Sequence, residues 1–264
     1  MKPKGRILTL TTDLGTGDGY VGAVKGAVLS LAPSAAIHDI SHDIAPHDIW
    51  GGAWCLRRTM PHFPTGTVHL VVVDPGVGSA RAGVVIETQR YLLVGPDNGV
   101  LSLAARDEGI RRVIEISEEG EHWRKSRTFD GLTLFAPVAG HLLSGMALDD
   151  VGTEAEDLVE LPERITKAHG NVIDGAVMLF DRFGNAITDI PGSAMEGRKV
   201  VSISLKNTHQ ARFCDHYGEL AGQTAIGGVV NSDGFLELAL YGQSLRDHLE
   251  LESGDPVRVL LKPM

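Results

Sequence analysis

In Val71-Val72-Val73-Asp74-Pro75-Gly76-Val77-Gly78-Ser79-Ala80-Arg81, a β-branched run stops at a carboxylate, a glycine-rich turn follows, and an arginine closes the stretch. Such a run, bounded by Pro and Gly, reads as a buried strand. Open α/β sheets bind ligands at the carboxyl ends of their strands. Asp74 is therefore the first candidate for chemistry, and the flanking sequence tests whether a sheet surrounds it.

Upstream, Ile7-Leu8-Thr9-Leu10 is a short β-rich run ending at Thr11-Thr12-Asp13, followed by the turn-rich Leu14-Gly15-Thr16-Gly17-Asp18-Gly19. From Tyr20 to Leu31, residues Val21, Val24, Val28 and Leu31 share one helical face, and Pro33 ends the helix. Strand, glycine loop and helix open a βαβ unit. The glycines match neither a P-loop nor a dinucleotide fingerprint. Asp13 sits either as a loop cap or where a strand-end carboxylate accepts ribose hydroxyls.

A second strand begins at Ala35-Ala36-Ile37 and runs into three His-Asp pairs, His38-Asp39, His42-Asp43 and His47-Asp48. Imidazole and carboxylate suit a divalent ion. Their spacing across a strand end, a proline and a turn does not put them on one face, and no metal is expected. Asp48 is better placed to cap a helix from Ile49 to Met60.

Thr67 to Val73 is the strand delivering Asp74. Strands follow at Ala82 to Glu87, Tyr91 to Val94 and Arg112 to Ile116. Between them, Asp97-Asn98-Gly99 is a turn, or else it faces a pocket. Asp130 precedes a helix from about Phe135 to Ser144 and is, on sequence alone, its N-cap. Residues 150 to 168 are acidic, contain Pro162 and read as a linker. Beyond them come short β-rich runs at Val172 to Phe180, Ala186 to Asp189, Val200 to Leu205, Thr224 to Val230, Phe235 to Leu240 and Pro256 to Leu261. That texture predicts a small antiparallel sandwich or barrel. The expected division is an α/β domain over 1–160 and a β domain over 161–264.

Composition bounds the function. With 264 residues, 43% hydrophobic and 22% charged, the chain suits a globular protein of one or two domains. It contains no apolar run of membrane-spanning length and no apolar leader region after Met1. A formal charge of −10 argues against nucleic acid as a partner. Cys55 and Cys214 form neither a disulfide framework nor a metal-ligand spacing, which suits the cytoplasm.

Taken together, the loops resemble the S-adenosyl-L-methionine (SAM) hydroxide adenosyltransferases, the SAM-hydrolysing branch of the superfamily containing the fluorinase and chlorinase. The resemblance rests on Thr11-Thr12-Asp13-Leu14-Gly15, Asp74-Pro75-Gly76-Val77-Gly78-Ser79 with Arg81, Pro96-Asp97-Asn98-Gly99, Thr128-Phe129-Asp130-Gly131, Phe183-Gly184-Asn185 and Asn231-Ser232-Asp233-Gly234. It implies an N-terminal α/β (Rossmann-like) domain, a C-terminal antiparallel β-barrel, and a homotrimer with sites at subunit interfaces. It implies hydrolysis of SAM to adenosine and L-methionine without a cofactor. Asp74, Arg81 and Asp130 would be catalytic. Asp13 would bind the ribose, with His47 beside the ligand. Phe213 would stack on adenine, with Asn185 and the backbone around Gly242 at its edge, while Asp181 and Ser232 would hold the methionine end.

Asp130 departs from the family pattern, which has histidine in Thr-Phe-His-Gly. A SAM- or adenosine-binding protein without turnover is the alternative that this substitution raises. Halogenation is disfavoured because halogenases carry tyrosine where Asp74 stands, and a carboxylate repels halide. Gly131 also replaces the hydroxyl residue that the fluorinase uses for its halide.

Overall fold

The computed structural model describes residues 7–117, 123, 126–162 and 166–263, in two compact units, Met1–Leu161 and Pro162–Met264. The N-terminal stretch read above for a leader lies outside the described residues.

The first unit runs β1 (Ile7–Thr12), α1 (Tyr20–Leu31), β2 (Ala36–Ser41), α2 (Ile49–Thr59), β3 (Val68–Val72), β4 (Gly83–Thr88), β5 (Leu92–Pro96), α3 (Ser102–Glu108), β6 (Ile110–Ile116), α4 (Ala136–Leu143) and β7 (Gly152–Glu154). Its sheet has the order β2-β1-β3-β5-β4-β6-β7. The first four strands are parallel, and β4, β6 and β7 pair antiparallel. Strands β3, β4 and β5 are buried along their whole length, which explains their continuous rather than alternating apolar runs. Val21, Val24 and Val28 of α1 join a core with Val138, Ala139 and Leu142 of α4 and Leu8, Leu10 and Leu70 of the sheet. Each buried valine contributes about 1.5–3 kcal/mol relative to exposure.

Asp48 caps α2 as the sequence predicts, its Oδ1 accepting the Gly51 N–H at 2.9 Å. Gly51 leaves the room for that carboxylate, since a Cβ there would collide with Asp48 Oδ2. Among the described residues, the expected linker is largely held in place. β7 pairs with β6, the Val159 N–H donates to Asp97 Oδ1, and the Leu161 N–H donates to Ser102 Oγ. Its acidic composition misleads because backbone donors tie it down, and two of its acids, Glu154 and Glu160, pair with Arg112 and Arg106.

His69 on β3 is fully buried between Phe63 and Tyr91, its Nδ1 2.7 Å from Thr9 Oγ1. Burial pushes the imidazole down to about 3. The unfolded chain therefore binds this proton first, and stability falls as pH drops below about 6.5, by about 1.4 kcal/mol for each pH step until about 3. Urea unfolding between pH 6.5 and 4.5 is expected to show that slope in the wild type and a shallower one in His69→Phe. Equal slopes would remove His69 as its source.

The second unit contains β8 (Lys167–His169), β9 (Val172–Phe180), β10 (Ala186–Pro191), β11 (Val200–Leu205), β12 (His209–Phe213), β13 (Ile226–Val230), β14 (Phe235–Leu240), α5 (Leu245–Leu249) and β15 (Pro256–Leu261). Strands β9, β10, β14, β13, β12, β11 and β15 form a closed ring through the β9–β10 pairing, and β8 adds outside β9. Inward residues alternate with outward ones, as on β15, where Val257, Val259 and Leu261 are buried. The barrel is antiparallel except for β12 and β13, which run parallel.

Candidate active site

Adjacent parallel strands β1 and β3 pair Thr12 with Val72, so their carboxyl ends set Asp13 and Asp74 at the same edge of the sheet. Beyond Asp74 the chain reverses. The Val77 N–H donates to the Asp74 carbonyl at 3.3 Å, and the Ser79 N–H and hydroxyl both donate to the Gly76 carbonyl. Gly78 takes φ +78°, and a Cβ there would press within 3.0 Å of the Arg127 carbonyl, so this position requires glycine. The reversal returns Arg81 over Asp74.

Arg81 Nη2 donates to Asp74 Oδ2 at 2.5 Å and to Asp130 Oδ2 at 2.8 Å. Nη1 donates to the Ala82 carbonyl at 2.8 Å, and the guanidinium lies 5.3 Å from the Phe135 ring centre. The three side chains are 6%, 9% and 2% exposed for Asp74, Arg81 and Asp130. The expected cap role of Asp130 is not what the structure shows. Its side chain caps no helix and is spent on Arg81. A wide five-residue helical turn, Gly131–Phe135, leads from it into α4.

Burial pushes the Asp74 carboxyl above its ordinary range. Arg81 pulls against this and the Asp130 charge adds to it. The Gly76 N–H beside the carboxylate also lowers it, while no donor among the described residues meets Asp74 Oδ1 with good hydrogen-bond geometry. The hydrogen-bonding capacity of this buried carboxylate oxygen is thus unfilled.

Asp13, His47, Asp74 and Asp130 line one cleft of about 700 Å³, together with Tyr20, Val77, Phe129 and Leu132. Asp13 Oδ2 accepts the His47 N–H at 2.8 Å, and His47 takes φ +68°. The remaining His-Asp pairs serve this loop. Thr12 Oγ1 lies 2.9 Å from His42 Nδ1, and His42 Nε2 lies 3.1 Å from Asp39 Oδ1 without hydrogen-bond alignment. Lys25 donates to Asp39 at 2.6 Å.

Within the barrel unit, Asn185 and Gly242 line a second pocket of about 390 Å³. Asp181, Phe213 and Ser232 lie outside its lining. Asp181 accepts three hydrogen bonds inside its own loop, from the Phe183 and Asn185 N–H groups and from Asn185 Nδ2. Phe213 packs against the barrel core, and Ser232 is exposed. The exposed aromatics around the pocket are instead Phe183, Tyr217 and Tyr241, at 75%, 45% and 52%. Motif reading reaches Tyr241 only through the backbone around Gly242 and Phe129 only as part of the Thr128–Gly131 block, and it misses Tyr217 and Tyr20; Tyr20 meets Phe129 edge to face at 5.1 Å in the cleft wall. Tyr20 opens α1, Tyr217 opens a short helical turn and Phe129 is half-buried, so their place at a pocket emerges only from the fold.

A strand-end acid and a helix-entry acid bridged by one arginine, at a cleft of about 700 Å³ in an α/β unit, with a separate barrel unit, define a two-unit α/β protein. The chain matches the SAM hydroxide adenosyltransferase N-terminal domain over residues 8–152 and the C-terminal domain over residues 175–258. It belongs to that family. An (R)-S-adenosyl-L-methionine hydrolase from Methanocaldococcus jannaschii is 36% identical over 267 residues, covering 96% of this chain and 95% of that protein. A conserved protein from Thermotoga maritima, known from its crystal structure, is 32% identical with a TM-score of 0.87, covering 96% and 99% of the two chains. A fluorinase from Actinopolyspora mzabensis is more distant, 26% identical over 292 residues, with 96% of each chain covered.

Proposed function

We propose that the protein hydrolyses SAM to adenosine and L-methionine. The carrying observation is the Asp74–Arg81–Asp130 array, with Asp74 Oδ1 unpaired among the described residues and Asp74 and Asp13 lining one cleft, in a chain related over nearly its whole length to (R)-SAM hydrolases. The sulfonium leaves as a neutral thioether, so departure requires no acid. The chain must orient a water in line with C5′ and take its proton. In this mechanism Asp74 Oδ1 accepts from that water, whose oxygen attacks C5′. The C5′–S bond breaks with its electron pair on sulfur, and the water proton passes to Asp74. Arg81 fixes the carboxylate, and Asp130 anchors Arg81 through the same Nη2. Asp13 holds the ribose diol, with His47 beside it.

The barrel residues Asn185 and Gly242 serve the adenine edge, Phe213 stacks on the adenine ring, and Asp181 and Ser232 serve the methionine end. The protein acts as a cytoplasmic homotrimer, with the cleft of one subunit completed by the barrel of a neighbour. Halogenation fits poorly at Gly131, where a Cβ would meet Val72 Cγ1 at 2.8 Å and the Phe129 ring at 2.9 Å, closing the place for a hydroxyl side chain.

Incubation of the purified protein with SAM, resolved by liquid chromatography, is expected to give adenosine and methionine in equal amounts, unaffected by chelator. Formation of 5′-chloro-5′-deoxyadenosine in chloride, or loss of turnover with chelator, would overturn the reading. Tight adenosine binding with no turnover would establish the non-hydrolytic binder, the reading that Asp130 in place of histidine favours.

A further inference from the structure

The Pro96-Asp97-Asn98-Gly99 turn is absent from the cleft lining, yet it grips the backbone on both sides of the acid–arginine pair. Asn98 Nδ2 donates to the Val73 carbonyl at 2.9 Å, one residue before Asp74. Asn98 Oδ1 accepts the Val100 N–H at 3.1 Å, which fixes the amide orientation, because a flipped amide would set oxygen against oxygen at Val73. The paired register between β3 and β5 ends at Leu70 and Val94, so the Val73 carbonyl lies beyond that ladder and the asparagine supplies its donor. On the other side, the Asp97 N–H donates to the Ala82 carbonyl at 2.9 Å. That same carbonyl accepts Arg81 Nη1 at 2.8 Å. The turn is itself braced, with Asp97 Oδ1 accepting the Val159 N–H and Leu161 packed under Gly99, where a Cβ would fall 3.0 Å from its side chain.

We propose that Asn98 is a positioning residue for Asp74, fixing the Val73–Asp74 peptide so that the Asp74 carboxylate keeps its place in the cleft wall while Oδ2 stays on Arg81. This rests on the hydrolase reading above. Holding the Val73 carbonyl holds the peptide plane on which the Asp74 side chain is mounted. An attack geometry displaced by about 1 Å loses about 10²-fold in rate. Asparagine is suited to the task because it offers a donor to one backbone group and an acceptor to another from one rigid amide.

The test is Asn98→Asp, which keeps the acceptor for Val100 but replaces the donor at Val73, with Asn98→Ala as a second variant. With SAM, kcat is expected to fall about 10- to 100-fold while KM and the adenosine Kd stay within about twofold. A readout independent of turnover is the carboxyl carbon titration of Asp74 by NMR. Its midpoint is expected to move upward in both variants as the Arg81 pairing loosens. A role in folding alone would lower Tm in both variants and leave kcat and the Asp74 midpoint at their wild-type values, and that result overturns the proposal. If the wild type does not turn over SAM, the hydrolase reading fails by itself, and the NMR titration still decides whether Asn98 positions Asp74.

Discussion

Asp74→Asn is expected to lower kcat for SAM hydrolysis by about 10²- to 10⁴-fold, the range for loss of a positioned proton acceptor. The amide keeps the shape of the carboxylate but can take no proton from the attacking water. Adenosine affinity should hold, because Asp13 and the rest of the cleft wall are untouched, and isothermal titration of the variant with adenosine checks this. Wild-type turnover in Asp74→Asn would remove Asp74 from the mechanism. The pH profile gives the same group a second signature. Burial raises the Asp74 carboxyl above its ordinary value of 3.8, so activity rises with pH along a limb displaced upward from that value. Asp130→Asn removes the neighbouring negative charge and is expected to shift the limb downward.

The second large effect falls on stability. In Arg81→Met, Asp74 and Asp130 lose the guanidinium that both of them bond. Removing one partner from a buried ionic cluster costs about 3–5 kcal/mol, because the remaining charge stays desolvated. At this size that corresponds to a Tm lower by about 10 °C, measured by calorimetry near pH 7.5. The sign of the pH dependence is fixed. The penalty exists while the carboxyls are charged, so the gap to the wild type is full at neutral pH and narrows as acid neutralises them. A gap that widens in acid would show that Arg81 acts otherwise. Adding Asp74→Asn and Asp130→Asn to Arg81→Met is expected to recover much of the loss, since neutral amides leave no unpaired charge.

Strand ends were the legible part of this chain. Continuous β-branched runs and flanking Gly and Pro located β1, β3 and β9, and valine spacing placed α1 from Tyr20 to Leu31. Strand β12, His209–Phe213, escaped because its His, Gln and Arg give no apolar period. It exists because both of its edges find partners in the barrel. For Asp130, local spacing predicts a cap, whereas the family resemblance sets it beside Asp74 and Arg81; its donor, Arg81, lies 49 residues away in sequence, beyond the reach of local spacing. Asn185 and Gly242 line the barrel pocket through loops, while Phe213 packs against the barrel core. Which way an aromatic of a strand faces is a property of the barrel wall and not of its neighbours in sequence.

The parallel pairing of β12 with β13 has a consequence for the barrel pocket. Parallel neighbours cannot be joined by a hairpin, so the chain must travel back along the barrel before it can pair again. That return path carries the short helical turn Tyr217–Leu220, which places Tyr217 and Leu220 in the wall of the barrel pocket. The excursion is nonetheless tied to the staves beside it, with Cys214 and Leu220 buried against Val229 and Ala239 and the Tyr217 hydroxyl donating to Glu237. A change of shape in this pocket wall is therefore felt first by β13 and β14.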